Sequence, residues 1–268
     1  MDTSNIECYN IVFNGGTRGN FLGALMQCFT DSYPIPISKY GSCHFNKRCW
    51  LNYDNESLIA YSQAQYFSQE PKFKTLRPIN IDQPFIIMNH MIIDYDEFIQ
   101  LFPAGKTIVV TYTVEDLPSL RANLLFKNII EPMAMMIGHQ ISNDYSLIIQ
   151  EQRKQAMNIW KKFTTTHLPQ FKNKIPHPNT LTKEDCLTFI YKELETLNYK
   201  VTFPPFEIPE HHKNHVFTLP YSKIISDKDY VLNFISKLMN RPINDEVINS
   251  YDRYIEAQQP IYEKTGLI

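Results

Sequence analysis

The sequence has no lysine before Lys39, only eight glycines, no long apolar run and almost no net charge, and each scarcity removes a class of protein. A Walker phosphate loop needs Gly-x-x-x-x-Gly-Lys-Ser/Thr, so the lysine-free N-terminal stretch argues against an ordinary ATPase or GTPase. No apolar segment reaches the ~20 residues that cross a bilayer, and the first residues lack the basic-then-apolar order of a signal peptide. The chain therefore reads as cytoplasmic, with no membrane partner. A net charge of −2 and a pI near 6.4 leave no global basic field for nucleic acid, so any anion site must be local. The cysteines, Cys8, Cys28, Cys43, Cys49 and Cys186, are odd in number, which fits reduced thiols better than a disulfide framework. Cys43, His44 and Cys49 have no second half with zinc-ligand spacing, and no metal is expected.

What is present begins near the start. Ile11 to Phe13 form an apolar run suited to a buried parallel strand. Asn14-Gly15-Gly16-Thr17-Arg18-Gly19-Asn20 follows, and then Phe21, Leu22, Leu25 and Met26 recur at helical spacing. Strand, glycine-rich turn and helix make a ready anion site, because the backbone N–H groups at a helix start point outward. The same glycines also serve simple turn chemistry, and Thr17 suits a phosphate oxygen or the cap of the following helix equally.

Further along, 31–83 is rich in Pro, Ser, Tyr and Asn with little periodicity and reads as an insertion. A strand at Pro84 to Met88 ends in Asn89-His90. A short helix from Asp94 to Phe102 leads to a strand from Lys106 to Tyr112, completing a βαβ unit. Acidic residues and Pro118 open a helix running to about Ile129. A long helical stretch is expected over 132–163, a loop over 164–180 and a helix over 181–197. A strand at His215 to Leu219 and helices over 227–239 and 245–262 close the sequence. With 43% hydrophobic residues the chain can bury a full core. Strands alternating with helices predict an α/β fold with a mostly parallel sheet and ligand at the carboxyl ends of its strands.

His90 at a strand end suits a general base, or a side chain satisfied by loop backbone. Asp94, Asp96 and Glu97 suit an acidic helix start, or groups that bind a cation or orient the imidazole. His139 reads as a core histidine. His211, His212 and His215 read as surface residues ahead of a strand. Met133, Met135 and Met136 read as packing. Tyr251, Tyr254 and Tyr262 read as the helical face that seals the sheet.

Asn14-Gly15-Gly16-Thr17-Arg18 resembles the 5′-phosphosulfate loop of sulfotransferases that use 3′-phosphoadenosine 5′-phosphosulfate, above all the Lys-Gly-Gly-Thr-Arg form of heparan sulfate sulfotransferases. The strand ending in His90 resembles the family's Thr-His pair. Phe102-Pro103-Ala104-Gly105-Lys106 into Val110 resembles the lead into its 3′-phosphate strand. Ser119 follows Thr111 at the spacing of the family's 3′-phosphate serine. Thr218 to Ile225 resembles its late strand and closing region.

The resemblance implies a three-layer P-loop-type α/β fold with helical insertions, one domain over 1–268 with 31–83 and 131–212 as elaborations. It also implies sulfuryl transfer from 3′-phosphoadenosine 5′-phosphosulfate to a hydroxyl acceptor, a carbohydrate among the candidates, leaving adenosine 3′,5′-bisphosphate. His90, Asn14 and Arg18 fall at the catalytic positions. Gly15, Gly16, Thr17, Arg18, Gly19, Asn20, Thr111 and Ser119 fall at the nucleotide-binding ones.

Two positions depart from the pattern. Asn14 stands where the family has lysine, and Thr111 or Tyr112 where it has arginine. One well-placed donor to a developing negative charge contributes ~3–4 kcal/mol to lowering a barrier. A catalytically silent member of the same fold, binding a partner or nucleotide, is therefore a competing expectation, and a P-loop kinase-like phosphotransferase is a third.

Overall fold

The computed structural model describes residues 7–13, 16–31, 35, 37, 43, 49–54, 57–62, 84–89, 95–131, 154, 157–162, 165–166, 180–196 and 210–267. Chain order runs β1 (Cys8–Val12), α1 (Gly19–Asp31), β2 (Cys49–Asp54), β3 (Ser57–Ser62), β4 (Phe85–Asn89), α2 (Tyr95–Leu101) and β5 (Lys106–Thr111). A 3-10 turn (Val114–Asp116), α3 (Leu117–Leu125) and a π-helical turn (Phe126–Ile130) follow. Then come α4 (Lys183–Thr196), a 3-10 turn (Glu210–His212), β6 (Val216–Pro220), α5 (Lys223–Ser226), α6 (Lys228–Met239) and α7 (Asp245–Thr265). The expected strands and helices stand within a few residues of these bounds. Most of the long helix expected over 132–163 lies outside the described residues.

The strands form one sheet in the order β3-β2-β4-β1-β5-β6. β4, β1, β5 and β6 are all parallel, so the molecule is an α/β protein with a mostly parallel sheet. β2 adds to β4 in parallel and β3 to β2 antiparallel, so part of 31–83, read as an insertion with little periodicity, extends the sheet. Only Asn55 and Glu56 separate these two strands in sequence, a hairpin connection without the glycine that usually announces one.

Burial follows position in the sheet. All five residues of the central β1 are buried, as expected of a strand covered on both faces. Edge strand β6 instead has Val216 and Leu219 buried with Thr218 exposed, and it tolerates Pro220 at its end.

Two compact units divide the chain: Met1–Pro36, Cys43–Tyr112 and Phe203–Tyr254 form the first, and Ile37–Ser42, Thr113–Thr202 and Ile255–Ile268 the second. In the first, α1 lies against Ile11 and Met88 at Gly23, whereas Val12 clusters with Val109, Val216 and Tyr95 of α2. Successive strand residues face opposite ways, so α1 and α2 cover opposite faces of β1. Helix α6 is closed at both ends. Asp227 accepts from the Tyr230 N–H at 3.1 Å, and Asn240 takes a left-handed conformation that returns its N–H to Ser236.

The second unit packs α3 and the π-helical turn against α4. Its core joins Leu125, Phe126, Ile129, Trp160, Phe189 and Ile190. Thr113 and Asp116 make the capping box that starts this segment, and Pro118 sits in the first turn of α3 as expected.

Candidate functional site

β1 stands at the centre of the parallel strands and its chain exits at their carboxyl edge. From β1 the chain passes through α1 to β2, on the β4 side. From β4 it crosses through α2 to β5, on the other side of β1. Connections that diverge over opposite faces leave a crevice at the carboxyl end of the strand between them, the usual ligand position in open α/β sheets.

The glycine-bearing turn lies at this point. Gly16 has φ 86° and Arg18 φ 66°, while Thr17 between them does not share the positive sign. Backbone whose φ alternates in sign in this way turns successive N–H groups toward one side. A side chain at Gly16 would be strained there. Gly19 opens α1, and a Cβ on it would run into the ring of Phe13, so only glycine lets the helix start cross that ring. The Leu22 N–H donates to the Arg18 carbonyl at 3.0 Å, beginning the helical ladder directly after the turn.

Arg18 is the unusual member. Its side chain is only 2% exposed, and Nη1 donates to the Tyr254 hydroxyl at 3.1 Å. The guanidinium carbon also lies 5.3 Å from the Tyr221 ring centre and 5.8 Å from that of Tyr254. Burial opposes its charge, but the two tyrosine oxygens more than offset burial and hold its pKa above the ordinary arginine value. Tyr254 is fixed in turn by stacking on Phe21 of α1, with ring centres 3.5 Å apart. Tyr251 packs at a tilt on the same ring and donates to the Ile224 carbonyl at 2.9 Å.

Of the other expected residues, Thr17 is fully buried and Gly19 buried, while Gly16 and Asn20 are partly exposed. Thr111 ends β5 at the same carboxyl edge, where its carbonyl accepts from the Tyr221 N–H at 2.7 Å. Tyr221 thus touches both Thr111 and Arg18. Ser119 belongs to the second unit, where it is partly buried in α3. Asn14, Gly15 and His90, together with Asp94 and His139, lie outside the described residues.

Tyr221 and Tyr254 were not legible as partners of the turn. Tyr251, Tyr254 and Tyr262 read as one face sealing the sheet; Tyr251 and Tyr254 are buried against Phe21 of α1, whereas Tyr262 is 48% exposed. The histidines before β6 need a further correction: the side chain of His212 is 5% exposed, and its Nε2 lies 3.1 Å from Asp96 Oδ1. Four cysteines, Cys8, Cys28, Cys43 and Cys186, are buried free thiols, in keeping with their odd number.

Fold and site together define an α/β protein with a glycine-bearing strand-to-helix turn at its switch point. Compared with known proteins, the chain matches no family model and no curated sequence. Among the described residues no helix is long and apolar enough to cross a membrane.

Proposed function

We propose that this chain is a sulfotransferase-like protein of P-loop type that binds 3′-phosphoadenosine 5′-phosphosulfate on residues 15–20 and transfers the sulfuryl group to a hydroxyl acceptor, with His90 as the base. The observation that carries this reading is the turn itself, with Gly16 at φ 86° at the carboxyl end of the central parallel strand. Backbone N–H groups at such a strand-to-helix turn suit an anionic sulfate or phosphate oxygen. A carbohydrate hydroxyl is the acceptor class that the sequence resemblance suggests. When bound, the nucleotide supplies the activated sulfuryl group. The chain's own part is to hold it in line and to take the proton from the acceptor.

One observation favours a second reading, a silent member of the fold that binds a nucleotide or partner without turnover. Arg18 is the cation within the turn, and its guanidinium is committed to Tyr221 and Tyr254. As a buried charge it still attracts an anion, but a group held by two phenols follows a departing oxygen poorly.

Calorimetry with adenosine 3′,5′-bisphosphate tests both. Binding that Gly16→Asp abolishes supports nucleotide recognition by the turn, and no binding at millimolar ligand refutes it. Sulfation of an acceptor panel that His90→Ala removes while sparing nucleotide binding supports transfer. Binding without turnover of any acceptor supports the silent reading.

A further inference from the structure

Away from the turn, two segments far apart in sequence are brought side by side by the sheet. α2 leads into β5, and the Glu210–His212 turn leads into β6. Because β5 and β6 pair in parallel, the chains entering them run together. The Thr107 N–H donates to the His215 carbonyl at 2.6 Å, and His215 Nδ1 lies 3.1 Å from the Gly105 carbonyl, which pins the two approaches. Asp96, His211 and His212 meet there.

We propose that Asp96, His211 and His212 form a binding site for one divalent ion of the zinc class. Asp96 Oδ1 is 3.1 Å from His212 Nε2 and 3.7 Å from His211 Nε2, and one donor atom from each residue lies within 4.8 Å of the others. Bonds of about 2.0–2.1 Å at a tetrahedral angle separate donor atoms by about 3.3–3.4 Å. The two measured edges straddle that value. The third closes by rotation of the His211 ring, which is 68% exposed and free to turn on its solvent side.

The His212 ring is better fixed. Tyr95 of α2 packs against it edge-on, with ring centres 5.8 Å apart, and the buried imidazole turns Nε2 toward the exposed carboxylate of Asp96. An Asp-His hydrogen bond accounts for one imidazole but not for the second. His211 and His212 have ring centres 4.0 Å apart, and both direct Nε2 at one carboxylate oxygen. Two imidazolium rings so placed would repel, whereas a shared cation joins all three groups.

The donor chemistry selects the ion. Two imidazole nitrogens and a single carboxylate suit Zn²⁺, Co²⁺ or Ni²⁺, with too few oxygens for Ca²⁺ or Mg²⁺ and no thiolate for Cu⁺. Three protein donors with solvent on the open side leave a fourth position for water or a solute, the pattern of zinc sites that exchange a ligand.

The test uses the whole chain, stripped with a chelator and titrated with Zn²⁺ against a chromophoric competitor. One equivalent is expected to bind. Asp96→Asn and His211→Ala, both at exposed side chains, are expected to weaken binding at least about tenfold each with the circular dichroism spectrum unchanged. Lys213→Ala, an exposed neighbour, is expected to bind as the parent does. Absence of binding with zinc in excess, or binding that neither substitution alters, overturns the assignment. Because His212 is buried, His212→Ala is read only alongside these two variants.

Discussion

Arg18 and Tyr254, 236 positions apart, meet inside the first unit, where the guanidinium donates to the phenol oxygen at 3.1 Å. The turn after the central strand is thus held from behind by the last helix of the chain, through a side chain buried between two aromatic rings.

Removing the acceptor without changing the ring isolates that bond. Tyr254→Phe keeps the stack on Phe21 and leaves the guanidinium one partner short, so the first unit should lose about 1.5–3 kcal/mol. Urea unfolding followed by tyrosine and tryptophan fluorescence measures this. A variant with unchanged stability would show that the bond carries nothing.

The two glycines of the turn should respond differently. Gly16→Ala forces a Cβ onto a positive φ and should cost about 1–2 kcal/mol, with no remedy from neighbouring side chains. Gly19→Ala drives a methyl into Phe13, with an overpacking cost of about 1–3 kcal/mol, and Phe13→Leu in the same chain should recover part of it. Thermal melts of the single and double variants decide the point. Equal loss with and without Phe13→Leu would contradict the contact.

Alkali should destabilise the second unit through a thiol. Burial pushes the Cys186 thiol up to about 12 from an ordinary value of about 9. The folded chain therefore keeps a proton that the unfolded chain has released. Its contribution is fully present below pH 9 and is lost as pH rises toward 12, by at most about 4 kcal/mol. Burial raises the Tyr251 and Tyr254 phenols too, which adds to the loss in the first unit. Cys186→Ala should flatten the decline between pH 9 and 12 in denaturant titrations, and Cys186 should resist alkylation at neutral pH in the native state.

Lys106 offers a smaller test. Its ammonium donates at 2.5 Å to the Leu238 carbonyl, one of the last in α6, where a positive charge complements the helix end. Lys106→Met retains the apolar stem and should cost about 0.5–1.5 kcal/mol. Faster amide exchange confined to the last turn of α6 would accompany it.

Much of the sheet was legible because its strands announce themselves by composition. Ile11 to Phe13, Phe85 to Met88 and Thr107 to Val110 are short apolar runs bounded by turn residues, which is what burial on both faces demands. The β2–β3 pair escaped because Asn52, Tyr53 and Asp54 interrupt any apolar alternation and Asn55-Glu56 is a weak turn signal. In the site, the glycines declared a tight turn, but nothing local to Arg18 foretold Tyr221 or Tyr254. Nothing local to His212 pointed to Asp96 either. Those meetings are set by which strands pair, a long-range result that spacing along the chain does not encode.

Dependence of the turn on Tyr254 also orders events during synthesis. Translation at roughly 5–20 residues per second delivers Tyr254 about 10–50 s after Arg18. Until Tyr221 is made the arginine has neither aromatic ring to rest on, and until Tyr254 is made it lacks its phenol acceptor. The nascent turn must therefore mature after the rest of its unit has been made, and a stalled ribosome short of Tyr254 would display the glycine-rich segment without its final shape.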